Sequence, residues 1–521
     1  MSPILIVGAG PTGLVLAIEL ARRGVSHILI DQRPKPLLWD RAAVIKSRTL
    51  EIFAALGLSE EFLRRGTKIR GVDFYSRGTL RASFRLGELD TPFPFTLGLS
   101  EGITEQILTR ELERLGGRVE RGIELTDLAL SDGGVQARVR EAGRDRKLDA
   151  SWLVGADGLH SQVREAIGVD FPGRDHDREW GVADVRFDNW PYERDLAAVT
   201  FDPLFMPIPI GGDTWRAYFR GNPDDQNHRL HIERCLNALA PGAKFVRSDK
   251  PQLFRTHSRV ATRFRLGRVL LAGDAAHACS PIEGHGMNGG IHDAFNLGWK
   301  LALVANGRAR ESLLDSYDAE RRPIAGIVGE SGEDAEAGAA KGDPAAIDGA
   351  AQNLATAEGR YTAAIGESEL GLGYEASPIL WPDCDDAQSA FLTAIGYRVG
   401  DTGPLLGMGE ASQLHAVLTH PGHTVLALIG EADAAQRAEW VKMARRISGR
   451  FAPDVKAVVI ARHGEPAAPD LLVDPTGKAH ARLAGGDGGR LCVVRPDGYL
   501  ALRAGPPGLS AVEDYFARIF A

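Results

Sequence analysis

The feature that most constrains this chain lies at its start. A short apolar run, Ile4 to Val7, leads into Gly8-Ala9-Gly10-Pro11-Thr12-Gly13 and then into a helical pattern from Leu14 to Arg23 that Gly24 ends. A second apolar run, His27 to Ile30, follows. Continuous apolar strands on either side of a helix predict a βαβ unit of a buried parallel sheet. Within it Gly8 permits the tight turn, Gly10 lets a pyrophosphate approach the backbone, and Gly13 lets the helix pack closely. The phosphates would sit at a helix N-terminus carrying roughly half a positive charge. Asp31 closes the second strand, where a carboxylate can accept from an adenosine ribose, with Gln32 beside it. The glycine pattern alone carries little weight, since Gly284-His285-Gly286-Met287-Asn288-Gly289 matches it by composition too. Strand, helix and acidic residue around the first copy give it meaning, and they leave NAD and FAD both open.

Two further segments repeat the theme of a strand that delivers an acid. Trp152 to Gly155 ends near Asp157-Gly158, and Ser161 is placed to cap a helix. Val269 to Ala272 ends in Gly273-Asp274, a carboxylate at the carboxyl end of a strand, where open α/β sheets bind ligands. A carboxylate there can hold a ribityl hydroxyl. A helix from about Gly289 to Ala305 follows, with Ile291, Phe295, Gly298 and Ala302 along one face and Gly307 as its stop.

At 521 residues, 44% apolar and 25% charged, the chain has the composition of a multidomain globular enzyme. A net charge of −8 without basic clusters argues against nucleic acid and anionic membranes as partners. The four cysteines, Cys235, Cys279, Cys384 and Cys492, form no CxxC pair, so they read as reduced thiols of a cytoplasmic protein without a metal site. No apolar run reaches the ~18 residues of a membrane span. Helical patterns over Arg48 to Leu56 and Glu105 to Leu115 bracket an alternating, aromatic stretch from Gly71 to Phe95. A second aromatic-rich strand region runs from about Trp180 to Val260.

The three motifs, in this order and spacing, resemble those of the class A flavoprotein aromatic hydroxylases, the para-hydroxybenzoate hydroxylase family. The block Gly273-Asp274, Gly286-Met287-Asn288, Asp293-Ala-Phe-Asn296-Leu-Gly-Trp299-Lys300 is the most specific part. The extra C-terminal segment, with Val494-Arg495-Pro496-Asp497-Gly498-Tyr499, is similar to the longer branch that includes phenol, 3-(3-hydroxyphenyl)propionate and polyketide-tailoring hydroxylases. The resemblance implies an α/β fold: a Rossmann-like FAD-binding domain from 1–70, 101–178 and 261–375, an inserted antiparallel-sheet substrate domain from 71–100 and 179–260, and a C-terminal thioredoxin-like domain from 395–521.

It also implies site roles. Gly8, Gly10, Pro11, Thr12, Gly13, Asp31 and Gln32 would hold the ADP part of FAD. Arg41 would face the pyrophosphate and the nicotinamide path, and Gln106, Asp157 and Asp274 the middle of the cofactor. Pro281 would lie near the flavin's reactive edge, with Gly286, Met287 and Asn288 along its pyrimidine edge. There, helix N-terminal N–H groups would stabilise negative charge on the reduced ring. Glu283 and His285 stand where Gly and Gln are more usual; His285 would be near the flavin, able to tune it or bind substrate. NADPH or NADH would reduce FAD, O2 would add at flavin C4a, and the hydroperoxide would oxygenate an electron-rich ring. Phe205, Met206, Trp215 and Tyr218 are candidate substrate walls, with Phe74, Phe93 and Pro207; ordinary sheet core is the competing reading for each. No catalytic base is assignable among His257, His285 and Tyr218, and Arg216 is either a partner for a substrate carboxylate or a solvated strand residue. The alternatives are an FAD-bound cyclase without net redox and a reductase or oxidase on the same fold. Missing CxxC leaves the C-terminal domain a packing role, in a monomer or homodimer.

Overall fold

The computed structural model describes residues 2–36, 42–131, 133–176, 179–201, 203–220, 228–280, 284–341, 344–381, 394–400, 404–407, 412–466, 468–483, 489–505 and 509–521. Arg41, Pro281, Glu283 and Cys384 lie outside them. Among the described residues no helix is long and apolar enough to cross a membrane.

Its helices are α1 (Pro11–Arg22), α2 (Ser47–Ala55), α3 (Ser59–Arg65), α4 (Glu101–Arg114), α5 (Gln162–Ala166), α6 (His228–Leu239) and α7 (His285–Ala305). Beyond these come α8 (Asp315–Lys341), α9 (Pro344–Ala355), α10 (Ala357–Ser368), α11 (Leu414–Val417), α12 (Ala434–Arg450), α13 (Lys478–Leu483) and α14 (Leu509–Ile519).

The apolar runs form a six-stranded sheet. Ile4–Val7 lies at its centre, parallel to His27–Asp31 on one side and to Trp152–Gly155 on the other. Every residue of Ile4–Val7 and of Trp152–Gly155 is buried, because both sheet faces are covered, and this is why these strands show no polar alternation. The chain first adds Val119–Arg121 outside His27–Asp31, then returns to add Trp152–Gly155 and Val269–Leu271 on the opposite side. That reversal opens a crevice at the carboxyl ends of the central strands. The helix α1 starts at Pro11, three residues before the apolar periodicity, because proline's fixed φ suits the first helical position. It packs on α7 so closely that a Cβ on Gly298 would lie 2.6 Å from Glu19 Cβ.

A second sheet is mainly antiparallel. It runs Lys244–Ser248, Trp180–Asp188, Thr214–Arg220, Leu204–Gly211, Ala197–Phe201, Gly71–Ser76, Thr79–Arg85, with Gln252–Phe254 also on Trp180–Asp188. The two sequence-distant aromatic stretches meet through one parallel pairing, Ala197–Phe201 against Gly71–Ser76. Strand alternation divides its side chains. Phe187, Phe205, Trp215 and Phe219 face α6, where they pack with Ile232 and Leu236. Val199, Met206 and Tyr218 face the other way.

The C-terminal domain is thioredoxin-like. Its five-stranded sheet is ordered Leu471–Val473, Val455–Ala461, His423–Leu428, Arg490–Val494, Leu500–Ala504, parallel over the first three and antiparallel over the last pairings. One face packs on α12, α14 and Trp299 and Leu303 of α7, so this domain shares a core with the dinucleotide-type domain. An Asp433–Gln436 capping box starts α12.

Polar side chains join the domains as well. Glu320 on α8 accepts from both Arg495 guanidinium nitrogens at 2.7 and 2.8 Å and from Lys300 Nζ at 2.7 Å. Asp497 accepts from Trp299 Nε1 at 3.2 Å, and it also pairs with Arg495. Two cations and two carboxylates thus balance in a site with no side chain more than 2% exposed.

Candidate active site

Each sequence motif reaches the same crevice from its own strand. Gly8 follows Ile4–Val7 with φ +105°, and a Cβ there would lie 2.2 Å from Ala156 O, so only glycine lets the first and second motifs touch. Gly13 lies below: its Cβ would meet Gly8 O at 1.9 Å, which makes it a packing glycine rather than a residue of the cavity wall. Thr12 interlocks with Gly273 and Gly290, whose added Cβ atoms would approach Thr12 Oγ1 to 2.6 and 2.2 Å. Asp31 accepts from Ala9 N at 2.9 Å and Arg33 N at 2.8 Å, which ties the end of the second strand to the glycine loop.

These motifs border one cavity of about 1320 Å³. Its wall includes Gly10, Pro11, Thr12, Asp31 and Gln32 of the first motif, Asp157 and Asp274 of the other two, and Phe74, Phe84, Met206 and Tyr218 of the second sheet. That exceeds the roughly 300–1,000 Å³ of a site for one drug-sized ligand. Asp157 accepts from Ser161 Oγ at 2.6 Å and Val163 N at 3.1 Å, while burial raises its carboxyl. Ser161 in turn accepts from Arg164 N at 3.0 Å as the cap of α5. Asp274 sits in the turn Gly273–Ala275. Asp293 fixes that turn from below by accepting from Gly273 N at 2.9 Å and His277 Nε2 at 2.7 Å.

Several sequence expectations need correction. Gln106 is exposed and lies outside the cavity wall, whereas Glu101 and Glu105 line it. Helix α4 begins at Glu101, and positions four apart share a face, so its turn brings those two inward and rotates Gln106 away. Glu105 is pushed up to about 7 by burial and by neighbouring Glu101. Phe205 and Trp215 belong to the α6 side of the second sheet, one strand parity away from Met206 and Tyr218. Phe93 and Pro207 are likewise not on the cavity wall.

Asn288 is fully buried and faces no cavity. Its side chain accepts from Lys46 N at 3.0 Å and Thr49 Oγ1 at 2.7 Å and donates to Val44 O at 3.0 Å, stitching the Val44–Thr49 segment to the start of α7. Gly286 and Met287 beside it do line the cavity. Arg216 is neither solvated nor a substrate partner, because Asp184 accepts from its Nε and a terminal nitrogen at 2.8 and 3.0 Å. His257 stands at the cavity wall, paired with Asp175 at 2.8 Å. His285 also lines the cavity, with Nδ1 2.6 Å from Glu369 Oε1.

The donors present fit a flavin dinucleotide. No acidic side chain occupies the first turn of α1 or of α7, so both helix N-termini can meet negative charge. A Cβ on Gly10 would meet nothing within 4 Å, which leaves backbone open to an approaching group. Thr256 Oγ1, buried at the cavity wall, has no hydrogen-bond partner among the described residues.

Comparison with known proteins agrees. The FAD binding domain family matches residues 1–330. The chain belongs to the class A flavoprotein aromatic hydroxylases. It is 34% identical to the 6-methylpretetramide 4-monooxygenase of Streptomyces rimosus, over 98% of this chain and 92% of that one. Identity is 30% to the pentachlorophenol 4-monooxygenase of Sphingobium chlorophenolicum, over 96% and 94%. Among solved structures, the anhydrotetracycline hydroxylase OxyS of Streptomyces rimosus superposes with a TM-score of 0.76 at 29% identity, covering 99% of both chains. As a hydroxylase this chain is an FAD-dependent monooxygenase of aromatic substrates.

Proposed function

We propose that this hydroxylase uses NADPH or NADH and O2 to insert one oxygen atom into a phenol-like ring held against the second sheet. The observation that carries the reading is the single cavity, which joins a dinucleotide cradle to an apolar, aromatic sheet face. Bound FAD would supply the redox chemistry, accepting a hydride and activating O2. The chain's own residues have separable tasks. The α1 N-terminus and Gly10 receive the pyrophosphate, and Asp31 accepts from the adenosine ribose. Asp157 and Asp274 hold the middle of the cofactor. The N-terminal amides of α7 at Gly286 and Met287 would hold the flavin ring and offset negative charge on it when it is bound. Phe74, Met206 and Tyr218 exclude water and orient the aromatic substrate.

The test is NAD(P)H oxidation by the purified yellow protein against a panel of phenols, with hydroxylated product and peroxide both quantified. Stimulation coupled to product supports the reading. Flavin that neither nicotinamide reduces, with any phenol present, overturns it in favour of a fold that uses FAD without redox.

A further inference from the structure

The first residue of α7 is a histidine joined to a buried carboxylate at the cavity wall. His285 lines the cavity, and its side chain is 11% exposed. Its Nδ1 lies 2.6 Å from Oε1 of Glu369, a residue only 3% exposed. Glu369 caps the C-terminus of α10 in the left-handed region, at φ +59° and ψ +18°. Helices commonly end there on glycine, which adopts that conformation freely, so a glutamate is kept at a cost that its side chain must offset. Helix α10 packs on Thr79–Arg85 of the second sheet and contributes Ala363 and Gly366 to the cavity wall. His285 therefore stands where the start of α7 and the helix that covers the second sheet meet at the cavity.

The contacts fix how the imidazole is protonated. Burial alone would raise the Glu369 carboxyl, but His292, His285 and Lys46 outweigh it and hold it below the usual carboxylate range. An ionised carboxylate only accepts, so Nδ1 of His285 carries the hydrogen and Nε2 the lone pair. His292, two turns along α7, has its Nε2 3.0 Å from Thr49 Oγ1 and 3.4 Å from Glu369 Oε2. Thr49 donates its own hydrogen to Asn288, so His292 donates from Nε2, and burial keeps it neutral. Lys46 and Glu367 form a pair at 2.7 Å, and Cys279 Sγ lies 4.0 Å from a Cβ built on Gly286. Among the described residues, the charged groups around His285 are thus one ammonium and two carboxylates. A proton on Nε2 balances them, so the surroundings favour the imidazolium.

We infer that His285 is the base of the hydroxylation, taking the proton of the substrate's phenolic hydroxyl on Nε2, with Glu369 as its positioning residue. The O–H bond breaks, an N–H bond forms, and the electron pair stays on the phenolate oxygen, where it enriches the ring for attack on oxygen. The imidazolium then lies between two anions, the phenolate at Nε2 and Glu369 at Nδ1. After oxygen enters the ring, the proton of the substituted carbon restores the hydroxyl, and the proton on His285 leaves with the second O2 oxygen as water. The inference rests on the oxygenase reading of this cavity, and its test follows the proton at equilibrium, without NAD(P)H, so that it stands apart from turnover.

The probe is 4-nitrophenol, whose anion alone absorbs in the violet, titrated into the FAD-loaded protein and read as a difference spectrum across a pH series. In wild type the bound probe is expected to ionise about 1–3 pH units below its midpoint in water, the shift that an adjacent opposite charge produces. His285→Gln installs the residue more usual at this position: its amide still donates to Glu369, so FAD content and melting temperature should hold, but it takes no proton. The midpoint of the bound probe should return to its value in water or rise above it. Glu369→Gln still accepts from Nδ1 and keeps the tautomer, yet withdraws the charge that favours the imidazolium, so the midpoint should move part of the way; a merely structural Glu369 would leave it unmoved. A midpoint in His285→Gln equal to that of wild type overturns the assignment, because another group then ionises the probe. So does a probe that wild type binds as the neutral phenol or does not bind. Loss of FAD in His285→Gln, with the midpoint of the reloaded protein unchanged, would make the dyad a cofactor support and overturns it as well. Failure of the oxygenase reading would show instead as absent product formation in the turnover assay.

Discussion

Asp293→Asn tests how the Asp274 turn is held in place. Asp293 is 0% exposed and serves three donors: Gly273 N, His277 Nε2 and, at 2.7 Å, Arg321 Nε. Burial alone would raise its carboxyl, but His277 and Arg321 outweigh that and hold it well below the usual carboxylate range. Asparagine keeps the volume, loses the charge and turns one acceptor into a donor facing these donors. Arg321, itself 2% exposed, then stays buried without its counter-charge, and breaking such a pair costs about 3–5 kcal/mol. At 2–4 °C per kcal/mol for a domain of some 150–250 residues, the melting temperature should fall by roughly 6–20 °C. Because Gly273 N and His277 flank Asp274, FAD per protein should fall too. Glu320→Gln, in the neighbouring Arg495–Lys300 cluster, is the control: it leaves a comparable unpaired charge but touches neither Gly273 nor His277. Scanning fluorimetry and flavin absorbance on both variants decide the matter. A melting temperature within 2 °C of wild type, or equal FAD loss in the two variants, would refute the claim that Asp293 positions the cofactor turn.

Burial pushes His292 and His423 down to about 3, so both stay neutral in the fold while the unfolded chain protonates near pH 6.5. Stability from this source is complete above pH 6.5 and is lost as pH falls, by about 1.4 kcal/mol per pH unit for each histidine; the melting temperature should drop between pH 6.5 and 4.5, and His423→Phe should flatten that drop. With Glu105 titrating at about 7 beside Asp31, loss of its proton adds negative charge near the cofactor's phosphates, so FAD should dissociate faster at pH 8 than at pH 6. Glu105→Gln should abolish the difference, as followed by recovery of free-flavin fluorescence. Asp274→Ala should emerge from purification depleted of FAD, and full yellow protein would contradict its role. Arg41→Ala should slow flavin reduction by NAD(P)H more than it weakens aromatic binding, measured by stopped flow and titration; the reverse ranking would move Arg41 to the substrate side.

That the three motifs converge on one cavity was legible because each of them is local. Gly8, Asp157 and Asp274 each sit just past an apolar strand, and the rule that ligands bind at carboxyl ends joins them without knowledge of strand order. The substrate end obeys parity and helix phase instead. Phe205 and Met206 are chain neighbours of similar character, yet one packs on α6 and the other faces the cavity, and composition does not say which. Gln106 failed by one residue of helix phase, since the position at which α4 begins sets the face that turns inward.

The ion pair of Lys46 and Glu367, both on the cavity wall, lay further out of reach. A lysine before a helix and a glutamate near the end of another are ordinary solvated residues until α10 folds across the strand Thr79–Arg85 and sets them 2.7 Å apart. The charged residues of the α7 block show the converse. Asp293 and Lys300 carry the family pattern as clearly as any flavin motif, but their partners, Arg321 and Glu320, come from α8, and Arg495 from the C-terminal domain. Asp293 braces the turn that presents Asp274, while Lys300 shares Glu320 with Arg495, so one helix links the cofactor turn to the docking of the C-terminal domain. A chain truncated before that domain would leave Lys300 and Glu320 without Arg495 and would strip the apolar cover from Trp299 and Leu303. The C-terminal domain, with no CxxC of its own, therefore contributes by packing: it covers α7 and completes the Glu320 cluster.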